Sequence, residues 1–278
     1  KETVRLGAGL DAQSMLTEEA AQRGLECLKR FADRLADLPT RQVRAVATQT
    51  LREARNRNAF LARAQQVLGH PIEVISGREE ARLIYAGVAR MQTAEDPRLV
   101  IDIGGRSTEM ILGQGYTAHA MESYRLGSVA WSGRYFARGA VSAAAFKTAE
   151  VAAKAVLDEA LDTFPPAEWN VAYGSSGTVS AVAEMLGANG WATGLVTRSG
   201  LDWLTERLVR AGNVDALKLD GLKDDRRPVV AGGVAVLRAI FDLFDIQQML
   251  PAQGALRHGA LYDLIDRDTD GGDVRERT

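Results

Sequence analysis

The stretch LVIDIGGRSTEMILG, residues 99–113, runs an apolar strand into a glycine pair, two hydroxyls and two carboxylates. Gly104 and Gly105 let the backbone come close to a ligand, and successive N–H groups in such a turn form an anion-binding nest. Ser107 and Thr108 add hydroxyl donors. Asp102, at the strand end, suits a hydrated divalent cation or a held water, and Glu109 can do the same from the returning strand. A tight hairpin with capping acids accounts for the same residues, so this stretch alone leaves both readings open.

A second turn, Gly174-Ser175-Ser176-Gly177-Thr178, lies between a strand and a helix. Its N–H groups converge at a helix N-terminus, a natural phosphate site, although such turns also serve the chain reversal alone. A third, AGG at 231–233, fits close helix packing better than ligand contact. Glu80 sits in the first turn of a helix at a strand end, where α/β active sites gather. Its chemical reading is proton abstraction from water attacking phosphorus; its plain reading is a surface glutamate. Glu79 is explained as the acid of a capping box with Ser76. Arg52 follows a strand through TQTL with a planar fork suited to phosphate oxygens, or is a solvated helix arginine. His70, His119 and His258 lack metal-ligand spacing. Cys27 falls on an amphipathic helix, where packing explains it.

Positioning these groups requires alternating strands and helices. Thr17 caps a helix reaching about Leu38, with Leu25, Leu28, Phe31 and Leu35 on its buried face. A strand at 43–48, a helix at 51–68, a strand at 72–76 and a helix at 77–90 follow. That order predicts a mixed or mostly parallel sheet covered by helices. The polar MQTAEDP (91–97) marks a boundary between a first domain, 1–92, and a second, 93–266. The second opens with antiparallel hairpins. Helix 141–163, strand 169–174, helices near 178–186, 200–210 and 228–244, strand 246–251 and helix 255–266 complete it. The tail 267–278 is expected to fray.

The totals exclude several classes. With 278 residues and 46% apolar content, the chain can build one large or two modest cores. A net charge of −2 argues against a dedicated nucleic-acid binder. One cysteine cannot form an internal disulfide, and the expected setting is reducing and cytoplasmic. No apolar run approaches the roughly 18 residues of a membrane span.

Six segments, in order, resemble the exopolyphosphatase and guanosine pentaphosphate phosphohydrolase family, within the actin-like, sugar-kinase-like and Hsp70-like ATPase superfamily. They are ATQTLREARN (47–56), IEVISGREEARLIYAGV (72–88), LVIDIGGRSTEMILG (99–113), YRLGSV (124–129), YGSSGT (173–178) and GALRHGALYDL (254–264). The resemblance implies an α/β fold of two ribonuclease H-like domains facing each other across a cleft. It implies an exopolyphosphatase releasing terminal phosphate from inorganic polyphosphate. The alternatives are guanosine pentaphosphate phosphohydrolase activity or a non-catalytic phosphate or nucleotide sensor. The implied cofactor is magnesium, with manganese as its substitute, and the implied assembly is a homodimer. Carried over residue by residue, Glu80 resembles the general base and Arg52 a phosphate-contacting arginine. Asp102 and Glu109 resemble the acids that manage metal and water. Gly104, Gly105, Ser107 and Thr108 resemble one phosphate loop, and Gly174, Ser175, Ser176, Gly177 and Thr178 a second turn.

Two departures stand out. Arg106 occupies the position of the loop's usual third glycine; at positive φ it would cost about 1 kcal/mol. It would then either bend the loop or offer a positive contact to a polyanion. The chain also opens at a point resembling the end of the family's first hairpin. Either a preceding segment with an Asp-x-Gly-Ser-Asn-Ser loop completes the first domain, the expected case because that domain would otherwise lose the centre of its sheet, or the chain is a defective relative. The helical C-terminal domains of longer members have no counterpart here.

Overall fold

A computed structural model describes residues 2–270, with side chains to residue 267. Thr17 caps α1 (Glu18–Leu35) by accepting from the Ala20 N–H. The helix ends three residues before the expected Leu38. Strand β1 (Ala45–Ala47) pairs in parallel with β2 (Ile72–Val74). Between them, the single helix expected at 51–68 is two, α2 (Gln49–Glu53) and α3 (Arg57–Leu68). The break is held by Asn56, whose side chain accepts from the Leu16 N–H at 2.8 Å and donates to the Leu16 carbonyl at 2.9 Å. Such side-chain capture of backbone competes with helix continuation. It also leaves α2 free to turn its own face elsewhere. Helix α4 (Gly77–Met91) starts at Ser76, which accepts from the Glu79 N–H. The Glu79 carboxylate does not close the expected capping box; it accepts from Arg82 and Arg44.

The remaining strands are β3 (Arg98–Ile103), β4 (Thr108–Gln114), β5 (Thr117–Tyr124), β6 (Val171–Ser175), β7 (Val196–Thr197) and β8 (Gln248–Pro251). They form one sheet in the order β5-β4-β3-β6-β8-β7. The β3-β4-β5 hairpins are antiparallel, as expected, whereas β6 and β8 run parallel to β3. The helices are α5 (Ser128–Tyr135), α6 (Ala143–Leu157), α7 (Ala160–Thr163), α8 (Ser176–Ala188), α9 (Arg198–Ala211), α10 (Val230–Leu243) and α11 (Leu256–Asp270). The expected helix 141–163 is thus α6 and α7. Helix α11 runs past the expected 266, and the rest of the predicted tail lies outside the described residues. Among the described residues no helix is long and apolar enough to cross a membrane.

Alternation along β3 sorts its side chains. Leu99, Ile101 and Ile103 enter the main core with residues of α6, α8 and α10. Val100 faces the other way, against Ala81, Ile84, Tyr85 and Val88 of α4. Asp102 shares Val100's side of the strand, because side chains two apart point the same way. Helix α4 therefore lies over the sheet face from which Asp102 emerges. It is clamped there by α11: a Cβ on Gly259 would lie 1.7 Å from the Leu83 carbonyl oxygen, so the two backbones touch. Buried Asp263 of α11 adds ion pairs to Arg44, Arg82 and Arg267. In α10, Gly232 and Gly233 pack against Ser132, Ser128 and Thr178, the packing use expected of the AGG turn.

Candidate active site

One row crosses four strands. Ser123, Glu109, Asp102 and Ser175 are directly opposed partners on β5, β4, β3 and β6. The Ser123 hydroxyl donates to Glu109 Oε1 at 2.7 Å. The row puts two carboxylates side by side, both buried, with Glu109 only 1% exposed. Helix α4 closes over it by its N-terminal end. Gly77 makes the approach feasible, since a Cβ there would sit 2.4 Å from the Ser123 Cβ. Three residues on, Glu80 is 6% exposed and is not the surface glutamate of the plain reading.

Arg52 joins these parts. From α2, its Nη1 donates to Glu80 Oε2 at 2.8 Å and to the Ile75 carbonyl at 2.9 Å, while Nε donates to Gln49 Oε1 at 2.8 Å. Its Nη2 is buried without a hydrogen-bond partner and lies 4.0 Å from Glu109 Oε1. A buried guanidinium N–H left unsatisfied is costly, and here it faces the space between the carboxylates.

Burial dominates the electrostatics. It pushes the Glu80 carboxyl up to about 7; Arg52 and the Thr48 hydroxyl oppose the rise, and Asp102 adds to it. Burial likewise lifts Asp102 to about 6, partly offset by Ser175 and Ser176. Glu109 is driven well above the usual carboxylate range by burial, then by Glu80 and Asp102, with Ser123 and Ser107 pulling the other way. Carboxylates raised in this manner are suited to accept a proton or to gather a cation.

Among the described residues no three carboxylate, imidazole or thiol groups gather closely enough to hold a metal unaided. The donor set is oxygen-only and anionic, three carboxylates against one arginine. Such a set fits magnesium or manganese kept partly hydrated and shared with substrate oxygens. Asp102 and Glu109 are the residues that fit this role.

The loops contribute differently from expectation. Thr108 is fully buried and donates to the Leu126 carbonyl. Ser176 and Thr178 both donate to the Ile103 carbonyl, at 2.9 Å each. These hydroxyls hold the turns together, and what the turns offer an anion is backbone N–H. The first-turn N–H groups of α8, from Ser176 onward, have no intrahelical acceptor. Ser176 has φ 74°, a left-handed conformation rare for a non-glycine residue. The carbonyls of Gly104 and Gly105 accept from Ser128, Val129 and Ala130, which seats the first loop on the start of α5.

Arg106 is not at positive φ, so the strain considered for it does not arise. Its guanidinium donates to Glu53 Oε2 at 2.7 Å and to the Gly7 carbonyl at 3.1 Å. Sequence reasoning did not single out Gln49, Glu53, Ser123 or Arg226. Gln49 and Glu53 lie in the TQTLRE segment that carries Arg52, but their one-turn spacing speaks only through the fold. Arg226 packs on Gly177, where a Cβ would fall 2.1 Å from its Nη2. Beside that turn is a cavity of about 220 Å³, bordered by Lys223, Arg226, Arg257, Glu184 and Gln253.

Residues 1–268 match the Ppx/GppA phosphatase family. Proteins called guanosine-5'-triphosphate,3'-diphosphate pyrophosphatase from Vibrio cholerae serotype O1 and Vibrio parahaemolyticus serotype O3:K6 are each 43% identical to this chain. The match extends over all 278 residues here and 56% of each relative. The chain thus spans about half the length of these curated relatives. An exopolyphosphatase from Cytophaga hutchinsonii has a similar structure, with a TM-score of 0.83 at 25% identity, over 95% of this chain and 88% of that one. The Aquifex aeolicus PPX-GPPA enzyme gives a TM-score of 0.74 at 22% identity, over 94% and 88%, a likeness of fold.

Proposed function

The chain belongs to the Ppx/GppA phosphatase family, and from that premise we propose that it carries a phosphohydrolase centre removing the terminal phosphate of guanosine pentaphosphate. The observation behind this reading is the placement of Arg52, with one guanidinium nitrogen on Glu80 and another, without a hydrogen-bond partner, 4.0 Å from Glu109. Glu80 takes the proton of a water whose oxygen attacks the terminal phosphorus; the anhydride P–O bond breaks, and orthophosphate and guanosine tetraphosphate leave. Arg52 Nη2 donates to an oxygen of the transferring phosphoryl group, whose charge grows most exposed during transfer. The α8 N-terminus and the backbone N–H groups of Gly105, Arg106 and Ser107 orient the remaining phosphates, the Gly104 N–H being taken by the Ser107 carbonyl. Asp102 and Glu109 would hold magnesium or manganese, which when bound supplies charge neutralisation at the phosphate oxygens. The reaction space is the cleft between two ribonuclease H-like domains, divided near residue 92.

The relatives' shared name favours the nucleotide over inorganic polyphosphate, which reverses the order expected from sequence. The cavity beside Gly177 supports the same choice, because it offers a nucleoside end a space bordered by arginine, lysine and carboxylate next to the phosphate turn. Polyphosphate is the second reading, favoured by the name of the Cytophaga hutchinsonii structure. A non-catalytic sensor has little need for a buried Glu80–Arg52 pair beside two further carboxylates.

The test is orthophosphate release from guanosine pentaphosphate and from polyphosphate with magnesium, for the wild type and Glu80→Gln. The reading expects nucleotide turnover that drops by about 10²–10⁴ in the variant. Binding without turnover by the wild type would instead establish the sensor.

A further inference from the structure

Outside the proton-transfer pair lies Arg106, whose charge the reaction does not use. Its partner Glu53 is not idle on its other oxygen: Oε1 accepts from Gln49 Nε2 at 2.6 Å. Gln49 Oε1 in turn accepts from Arg52 Nε at 2.8 Å, and Arg52 Nη1 donates to Glu80. A continuous path therefore runs Arg106–Glu53–Gln49–Arg52–Glu80. The direction of each bond is unambiguous. Arginine can only donate, so the Gln49 amide oxygen must face Arg52, and its amide nitrogen, which can only donate, faces Glu53.

The path has a geometric consequence. Arg52 is planar, and two of its nitrogens are tied, Nε by Gln49 and Nη1 by Glu80 and Ile75. Those two ties set the roll of the plane and hence the aim of Nη2. Gln49 can hold its end only while its amide is kept from flipping, which Glu53 does. Glu53 lies one turn from Gln49, at the C-terminal end of the short helix α2. Arg106 pins it from the opposite side of the site, with Nε and Nη2 both on Oε2, at 2.7 and 2.6 Å. The loop carrying Arg106 is itself seated on α5 by its glycine carbonyls. The glycine-to-arginine change in the loop thus acquires a counterpart in Glu53, on another part of the chain.

We infer that Arg106 is a positioning residue: through Glu53 and Gln49 it sets the aim of Arg52, and so couples the phosphate loop to the residue that orients the base. This rests on the phosphohydrolase reading above. Because the loop's position is transmitted to Arg52, the effect belongs to the chemical step and not to substrate capture.

The test is steady-state phosphate release by Arg106→Ala, Arg106→Lys, Glu53→Gln and the Arg106→Ala/Glu53→Gln double variant. The expected result is a kcat lowered about 10- to 100-fold in each alanine or glutamine single variant, with KM changed less than about threefold. The double variant should be no slower than the slower single, since both cut one path. Lysine, able to reach Glu53 with one bond, should recover part of kcat. A rise in KM with kcat intact would overturn the inference in favour of direct polyanion contact. Additive losses in the double variant would overturn it too, because the residues would then act separately. Coupling is also read without turnover, by urea unfolding of Arg106→Ala, Gln49→Ala and their double variant. Non-additive stability losses support the path and strictly additive ones reject it, whereas wild-type inactivity would count against the phosphohydrolase reading alone.

Discussion

Asp102 and Glu109 stand directly opposite each other on neighbouring antiparallel strands, two buried carboxylates in adjacent register. Like charges in that relation repel across a sheet, and burial raises both groups above their ordinary range. The protein therefore keeps at its centre an arrangement that weakens its own fold, and under the proposed function a bound cation would relieve it.

Stability should follow the titration of Asp102. The native state holds its proton up to about pH 6, whereas the unfolded chain releases it near 3.8. Between those values the native state binds more protons, so stability falls as pH rises through the window and the loss is complete above it. Asp102→Asn should raise the unfolding temperature at pH 7.5, by an amount on the order of 5 °C. At pH 3.5 the gain should vanish. Magnesium should stabilise the wild type at pH 7.5 and the variant much less; equal magnesium effects would remove Asp102 from the cation site.

Activity should carry an acid limb set by Glu80. Its carboxyl is raised to about 7 by burial against the pull of Arg52, so protonation removes the base as pH drops through neutrality. The kcat/KM profile should lose about tenfold per pH unit below that limb. A flat profile from pH 5.5 to 8 would exclude Glu80 as the base.

Arg52→Lys keeps the charge and should still fail. A single ammonium cannot serve Gln49, Ile75 and Glu80 together while presenting a further N–H to substrate. Phosphate release is expected to fall about 10- to 100-fold. Activity within twofold of wild type would show that charge alone suffices.

Gly77→Ala should separate fold from chemistry. The added methyl meets the Ser123 Cβ at 2.4 Å and must lift the start of α4 away from the carboxylate row. Overpacking of this kind costs about 1–3 kcal/mol, and kcat should fall further than that loss alone removes folded protein. Calorimetry beside kinetics checks it.

Arg226→Ala should raise KM for guanosine pentaphosphate about 10- to 100-fold, the order of one lost charged hydrogen bond, and leave polyphosphate kinetics nearly unchanged. The prediction follows from Arg226 lining the cavity at Gly177. Parallel losses on both substrates would place Arg226 on the shared phosphate path.

What the sequence determined by itself was the set of reactive groups and the local elements that carry them. The strand entering Asp102, the returning strand of Glu109, the cap at Ser76 and the apolar face of α1 follow from alternation, helical spacing and capping chemistry. These depend on neighbours within a few residues. Only the tertiary structure decided which of those groups act together. The row Ser123–Glu109–Asp102–Ser175 is a matter of strand register, and Gly77 has meaning only once Ser123 is opposite it. The loop hydroxyls of Thr108, Ser176 and Thr178 were open to either use, and buried carbonyls claimed them because a buried carbonyl must find a donor. Arg106 looked like a loop residue with a charge to offer; Glu53, far away in sequence, took that charge. Burial and pairing depend on what the fold brings alongside a residue, and those same two effects set its charge state and the direction in which it points.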